Sequence, residues 1–306
     1  MKIAILGGAG AMGSVFGACL TRGGHDVYLI DVSSTAVDKI TAEGLTILDK
    51  SGEPHVVRIK ATTDPTSVGA VDLIITFVKC YHTEMAIKSA LPMVGDTTVV
   101  MSLQNGWGNG QAIAAIVGPE RVIVGVTYYS ASLLEPGVVR QNAAGATHIG
   151  ELDGKLTERL AAIASGFTES GMEIHQSKQI TNDIWAKLAL NICTLPTSAL
   201  LRFSSGELPK HAGTVAIMRE LLRETVLVAR AQGIHLDESE RWDSIISVLN
   251  RAGAGKSSML QDVENKRRTE IDVINGAIIA ASKKTNIDVP CNQTMVHLIK
   301  ALEETF

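Results

Sequence analysis

No cysteine arrangement in this chain suggests a covalent staple or a metal site. Cys19, Cys80, Cys193 and Cys291 lie far apart, with no C-x-x-C pair and no histidine at ligand spacing beside them. This pattern excludes a disulfide scaffold and points to reduced packing residues and no bound metal. A sustained basic run is also missing: the formal net charge is −4, and Lys266-Arg267-Arg268 is too short to make an electrostatic footprint. Nucleic acid and anionic membrane surfaces are therefore not expected partners. No uninterrupted apolar stretch reaches the ~18 residues of a membrane span, and the first strand begins without a charged leader or long apolar segment. The expectation is a cytoplasmic protein. Internal repeats and low-complexity tracts are absent as well.

What is present is enough for two domains, with 306 residues of which 45% are hydrophobic. The chain opens on an apolar run, Lys2 to Leu6, that feeds into Gly7-Gly8-Ala9-Gly10-Ala11-Met12-Gly13 and then a helix-like segment, Ser14 to Arg22. Gly8, Gly10 and Gly13 form G-x-G-x-x-G, a weak signal alone but a specific one between a strand and a helix. Gly8 permits the tight turn, Gly10 lets a pyrophosphate approach the backbone, and Gly13 lets helix and strand pack closely. Around them Ala9, Ala11 and Met12 complete a cofactor loop whose helix N-terminus faces the anion. A second strand, Asp26 to Ile30, ends on Asp31, eighteen residues after Gly13. There a carboxylate can accept hydrogen bonds from the ribose hydroxyls of NAD and would repel the extra phosphate of NADP. The alternative for Asp31 is a turn or N-cap residue before Val32-Ser33-Ser34.

Further strands are expected at Leu45–Leu48, Val56–Ala61, Val71–Val78, Thr98–Leu103 and Arg121–Thr127, with helices near Ala36–Gly44, Thr83–Leu91 and Lys155–Gly171. The nearly continuous apolar run at Val71–Val78 suits a strand buried on both faces of a parallel sheet. Lys79, at its carboxyl end, is either a cofactor contact or a solvated lysine. Asn105, in Gln104-Asn105-Gly106 after the next strand, is a turn residue or an amide for a carbonyl oxygen near a nicotinamide. Gly137–Arg140 and Thr147–Gly150 suggest a hairpin-type pair at the sheet edge. From about Lys178 helical periodicity dominates, as in Thr214–Ala231, Ser239–Leu249 and Gln293–Leu302. The expected fold class is α/β: a Rossmann-type doubly wound sheet over 1–177, then an all-helical domain over 178–306 with a substrate cleft between them. Such a helical domain is compatible with a homodimer face.

In that second half Lys187 and Asn191 are four residues apart, on one helix face. A partly desolvated lysine can protonate the alkoxide left by hydride transfer to a ketone. Spacing alone favours a lysine that simply snorkels beside an apolar helix face. Gly253-Ala254-Gly255-Lys256-Ser257 is not a P-loop, since Asn250 stands where the first glycine is required. Ser258 and Glu270 would lie about 18 Å apart on one straight helix, so both can reach one small substrate only if the helix breaks. Thr269 and Asp272 supply a capping pattern for a restart there. The alternatives for this pair are a helix cap and a first-turn carboxylate.

Taken together, these segments resemble 2-dehydropantoate 2-reductase (ketopantoate reductase) over nearly the whole chain. The resemblance rests on the glycine loop, Lys79, Ser102–Gly106, Glu135–Arg140, Thr147–Gly150, Trp185–Asn191, Ser205–Leu208, Ser257–Asp262 and Thr269–Gly276. It implies reduction of 2-dehydropantoate to pantoate with a nicotinamide cofactor, for pantothenate biosynthesis. By the same resemblance Lys187 is the acid, and Glu270 is a carboxylate of the cleft, catalytic and in contact with cofactor. Asn105, Asn191 and Ser258 are then the substrate-binding polar residues, Asn105 also meeting the cofactor. Three departures stand out. Leu195-Pro196 replaces a common Asn-Pro, Ser205 stands where asparagine is common, and Asp31-Val32 replaces an arginine for the NADP phosphate. The first two bear on the substrate and keep open another branched or aromatic 2-oxo acid, reduced to a D-2-hydroxy acid. The third shifts the cofactor from NADP toward NAD. A non-catalytic dinucleotide sensor is the remaining alternative.

Overall fold

The computed structural model describes residues 1–49 and 51–306. Contacts divide it into two compact units: 1–104 with 109–180, and 105–108 with 181–306. The short segment 105–108 thus belongs with the second unit although it lies in the first half of the sequence.

In the first unit strands and helices alternate. They run β1 Lys2–Leu6, α1 Ala11–Arg22, β2 Asp26–Ile30, α2 Ser34–Glu43, β3 Leu45–Leu48, β4 Pro54–Val57, β5 Lys60–Thr62, β6 Val71–Thr76, α3 Thr83–Ala90, β7 Val94–Ser102, α4 Asn109–Val117 and β8 Val122–Thr127. Then come β9 Ser130–Glu135, β10 Val138–Ala143, β11 Thr147–Glu151, α5 Glu158–Glu169 and β12 Ile174–Gln176. The main sheet has the order β12-β11-β8-β7-β6-β1-β2-β5. From β5 through β8 this is the doubly wound order 3-2-1-4-5-6, and its strands pair in parallel. The order reverses between β1 and β6, so both the glycine loop after β1 and Lys79 after β6 leave the sheet at the switch point. Ile3, Ile5, Leu73, Ile75 and Met101 supply the sheet's share of a continuous core with Phe16, Leu20 and Phe167 of the flanking helices.

Two expectations about strands are corrected. Val138–Ala143 and Thr147–Glu151 do not pair with each other: β10 lies in a separate small sheet, β4-β3-β10-β9, while β11 enters the main sheet antiparallel to β8. The nearer partner wins, because Gly137 at φ +75° turns the chain straight back from β9 into β10. The strand β9 itself was not anticipated, since Ser-Ala-Ser-Leu-Leu-Glu lies mostly exposed and carries little apolar signal. The segment Val56–Ala61 is also two strands, β4 in the small sheet and β5 at the edge of the large one.

The second unit is helical: α6 Ile180–Leu201, α7 Ala212–Ala231, α8 Glu238–Ala252, α9 Ser258–Glu264, α10 Asn275–Thr285 and α11 Pro290–Glu303. Its core gathers Trp185, Leu188, Ile192 and Leu195 of α6 with Leu221, Leu222, Ile278 and Ile299 of its neighbours. By length and composition α6 could cross a membrane, but 72% of its most apolar stretch is buried inside the protein. Core burial accounts for that hydropathy.

Candidate active site

Each unit carries part of the residue set singled out by the sequence. In the first, backbone N–H groups of Gly7 and Gly8 both donate to the Ile30 carbonyl, which seats the loop on β2. A Cβ on Gly8 would lie 2.7 Å from the Leu29 Cα and one on Gly13 would lie 2.4 Å from the Gly7 carbonyl oxygen, so both positions require glycine. At Gly10 the nearest atom to such a Cβ is 3.2 Å away, and that side of the loop is comparatively open. Tight packing at the first and third glycines with space at the second is the cradle a pyrophosphate needs. Gly10 also begins α1 without a side-chain cap, which leaves the first-turn N–H groups to an anion. Ala9 contributes its N–H to the Asp31 carboxylate at 3.1 Å, while Ala11 and Met12 are half-buried in the first turn.

Asp31 serves the turn and leaves capacity for a ligand. One carboxylate oxygen accepts from Ala9 N–H and the other from Ser33 N–H, each at 3.1 Å, while Ser33 caps α2. Two ionised oxygens offer about four acceptor positions, so hydroxyl donors can still be taken. Lys79 is half-buried just beyond β6. Beside it the Gln104 amide nitrogen donates to the Val78 carbonyl and to Thr83 Oγ1, both at 2.8 Å, tying the exit of β6 to that of β7. Residues present therefore fit a dinucleotide. Elsewhere in this unit Asp49, Glu53 and His55 form a carboxylate and imidazole group. Asp49 accepts from Ser51 Oγ and from the N–H groups of Ser51 and Glu53, and these bonds hold its carboxyl down at about 2. Turn geometry explains that group.

In the second unit Lys187, Asn105 and Glu270 come together. The lysine Nζ donates to Asn105 Oδ1 at 3.0 Å. Loss of water around the ammonium brings the Lys187 pKa down to about 8, against the opposing pull of the Glu270 carboxylate. Glu270 is 7% exposed and stands before a single 3-10 turn, Ile271–Val273. The helix break required between Ser258 and Glu270 is present. It differs in form from the expected capped α-helix: Thr269 Oγ1 accepts from Ile271 N–H over one tight turn, and α10 begins only at Asn275.

Segment 105–108 docks on this turn. Trp107 N–H donates to the Val273 carbonyl at 2.9 Å, and the Trp107 ring meets Trp185 edge-on at 5.9 Å. Gly106, at φ +88°, is obligatory, because a Cβ there would lie 2.4 Å from the Val273 oxygen. Asn-Gly thus works as a turn and also brings the Asn105 side chain to the Lys187 ammonium. Asn191 is buried on α6, four residues beyond Lys187. Ser258 is exposed at the start of α9, whose cap is its neighbour Ser257, accepting from Leu260 N–H and touching Ser198 Oγ at 3.1 Å. Ser205 and Gly206 donate their N–H groups to the carbonyls of Gly255 and Gly253, so the glycine-rich segment is packing and not a phosphate loop. Leu195 is 8% exposed within the helical core. Sequence reasoning overlooked Trp107 and Asn275, whose polar partners come from distant segments; the paired glycines Gly106 and Gly108 were the available hint.

The ketopantoate reductase PanE/ApbA family model matches residues 3–154, and the model of that family's C-terminal part matches 179–303. The chain belongs to the ketopantoate reductase family. It is an NAD(P)-dependent oxidoreductase acting on a CH–OH group, in place of the non-catalytic sensor considered from sequence. A 2-dehydropantoate 2-reductase of Pyrococcus horikoshii is 37% identical over 99% of this chain and 98% of its own. Among solved structures, a PanE/ApbA family ketopantoate reductase from Ralstonia eutropha JMP134 is 31% identical with a TM-score of 0.91, covering 100% of this chain and 99% of that one. D-mandelate dehydrogenase, solved with NADH and anilino(oxo)acetate, is 31% identical with a TM-score of 0.94 over 100% of this chain and 99% of its own.

Proposed function

We propose that this member of the family reduces 2-dehydropantoate to (R)-pantoate with Lys187 as the proton donor. The observation that carries the reading is a half-buried ammonium drawn down to about 8, held by Asn105 and facing the Glu270 carboxylate. A dihydronicotinamide, when bound, would supply hydride chemistry at the keto carbon. Lys187 then gives its proton to the developing alkoxide and becomes a neutral amine, which recharges from water. An ordinary lysine would release that proton much less readily, while the nearby Glu270 favours the charged form. Asn105 Oδ1 aims the ammonium before substrate arrives, and Asn191 and Ser258 are assigned to the polar groups of the 2-oxo acid. Gly8 to Gly13 and Lys79 hold the cofactor, with Asn105 and Glu270 also toward it. Asp31 selects NAD over NADP by accepting ribose hydroxyls and repelling a phosphate. The protein acts in the cytoplasm, with its 1–177 and 178–306 parts serving cofactor and substrate, the helical part being compatible with a homodimer face.

A second reading keeps the chemistry and changes the substrate to an apolar or aromatic 2-oxo acid. Leu195, apolar and buried where the family resemblance implies asparagine, favours it, as does the similarity to D-mandelate dehydrogenase. One experiment decides: kcat/KM for 2-dehydropantoate beside that for phenylglyoxylate and a branched apolar 2-oxo acid, with wild type and Lys187→Ala. The leading reading expects 2-dehydropantoate to be preferred, and turnover to fall by about 10²–10⁴ in the variant with dinucleotide affinity nearly unchanged. A higher value for an apolar 2-oxo acid selects the second reading, and undiminished turnover in Lys187→Ala removes the lysine from its role.

A further inference from the structure

Helix α6 continues through a proline. Pro196 lies inside the helix and has no N–H to give to the Ile192 carbonyl four residues back, toward which its ring is a steric burden. The Asn275 amide nitrogen donates there instead, at 3.4 Å, the long end of hydrogen bonding. The same nitrogen donates to Asn292 Oδ1 at 3.0 Å, and Asn292 Nδ2 donates to Glu224 Oε2 at 2.7 Å. Glu224 also accepts the N–H groups of Cys291 and Asn292 at 2.8 and 3.0 Å. All three side chains are 0% exposed. Both Glu224 oxygens accept N–H groups, so Asn292 meets Oε2 through its nitrogen and turns its Oδ1 to Asn275, which sets the orientation of Asn275. In that orientation Asn275 Oδ1 is buried without a partner among the described residues. That orphaned oxygen is the cost of the arrangement, whose two donated bonds an apolar side chain could not make.

The asparagine closes the turn that bears Glu270. That turn is gripped at three points. Thr269 donates through N–H and Oγ1 to Glu303 Oε1 at 2.8 and 2.6 Å, and the Val273 carbonyl accepts from Trp107. Asn275 is the grip that joins it to α6, five residues beyond Lys187 on the chain and one beyond Asn191 at the accepting carbonyl. We propose that Asn275 is a positioning residue, whose carboxamide fills the acceptor opened by Pro196 and so holds the Glu270 turn against the helix carrying Lys187. The proposal rests on the reading of Lys187 as the proton donor.

Two variants test it. Asn275→Leu removes the donor at similar volume; Pro196→Ala gives the helix its own donor to Ile192 and lifts that steric burden. Both are expected to lower kcat about tenfold with KM for the 2-oxo acid changed less than about threefold. Both also lower the Lys187 titration midpoint, by about 0.5 pH, since Glu270 is the charge that raises it. That midpoint is read by NMR of protein labelled with ¹³Cε-lysine, the signal being assigned through Lys187→Arg. Pro196→Ala separates the roles, because a purely structural contact predicts an equal or higher Tm with kcat and titration unmoved. Wild-type kcat and midpoint in a folded Asn275→Leu overturn the proposal; should that variant not fold, the same result in Pro196→Ala does so. If the wild type reduces no 2-oxo acid, the functional reading fails by itself, while the lysine titration still tests the tie.

Discussion

Lys187→Met should make the protein more stable at neutral pH while abolishing turnover. The lysine's pKa falls from 10.5 to about 8 on folding, chiefly because burial strips water from the ammonium. At 1.36 kcal/mol for each pH unit this is about 3 kcal/mol against the charged form. The group is half-buried and the variant forfeits the Asn105 bond, so a net gain of about 1–2 kcal/mol is the working figure. For a unit of this size such a gain raises Tm by roughly 5 °C. The pH dependence has a fixed sign. Between pH 8 and 10.5 the unfolded chain binds more protons at this lysine than the folded one, so wild-type stability rises with pH across that window. The penalty is full below pH 8 and vanishes above 10.5. Thermal unfolding of wild type and Lys187→Met at pH 7 and pH 10 is the assay, and the advantage of the variant should shrink at the higher pH. A variant that is less stable at pH 7, or an advantage independent of pH, would refute the assignment of a desolvated ammonium.

Comparing NADH with NADPH at limiting concentration should show a preference for NADH that Asp31→Ala loses; a wild-type preference for NADPH contradicts the role given to Asp31. Gly13→Ala places a methyl 2.4 Å from the Gly7 carbonyl oxygen, so weaker dinucleotide binding and a loss of about 1–3 kcal/mol are expected by titration and denaturant unfolding. Unchanged affinity would mean that the loop shifts without consequence. If Lys187 is the acid, kcat/KM should fall as pH rises through about 8, because the reaction needs the ammonium; a flat profile to pH 10 with chemistry rate-limiting would point to another donor.

Much was legible along the chain because the relevant physics is local. Strand, glycine loop, helix and terminal Asp31 occupy one continuous segment whose spacing marks a strand–loop–helix–strand unit, and the long apolar run at β6 announced a doubly covered strand. Four-residue spacing likewise put Lys187 and Asn191 on one face. What the sequence could not decide is what each segment meets across the fold. The pairing of β10 with β9 rather than β11, the docking of Trp107 on Val273, the 3-10 form of the Glu270 turn and the Asn275 bridge to a proline-interrupted carbonyl all join residues far apart in sequence. Periodicity reports which side of an element is buried, whereas a hydrogen bond to a distant carbonyl depends on two backbones arriving within about 3 Å, and only tertiary packing sets that. The same reason made Lys187 ambiguous on paper: its residue type was fixed from the start, but the dry surroundings and the carboxylate that tune it exist only once the second unit has folded.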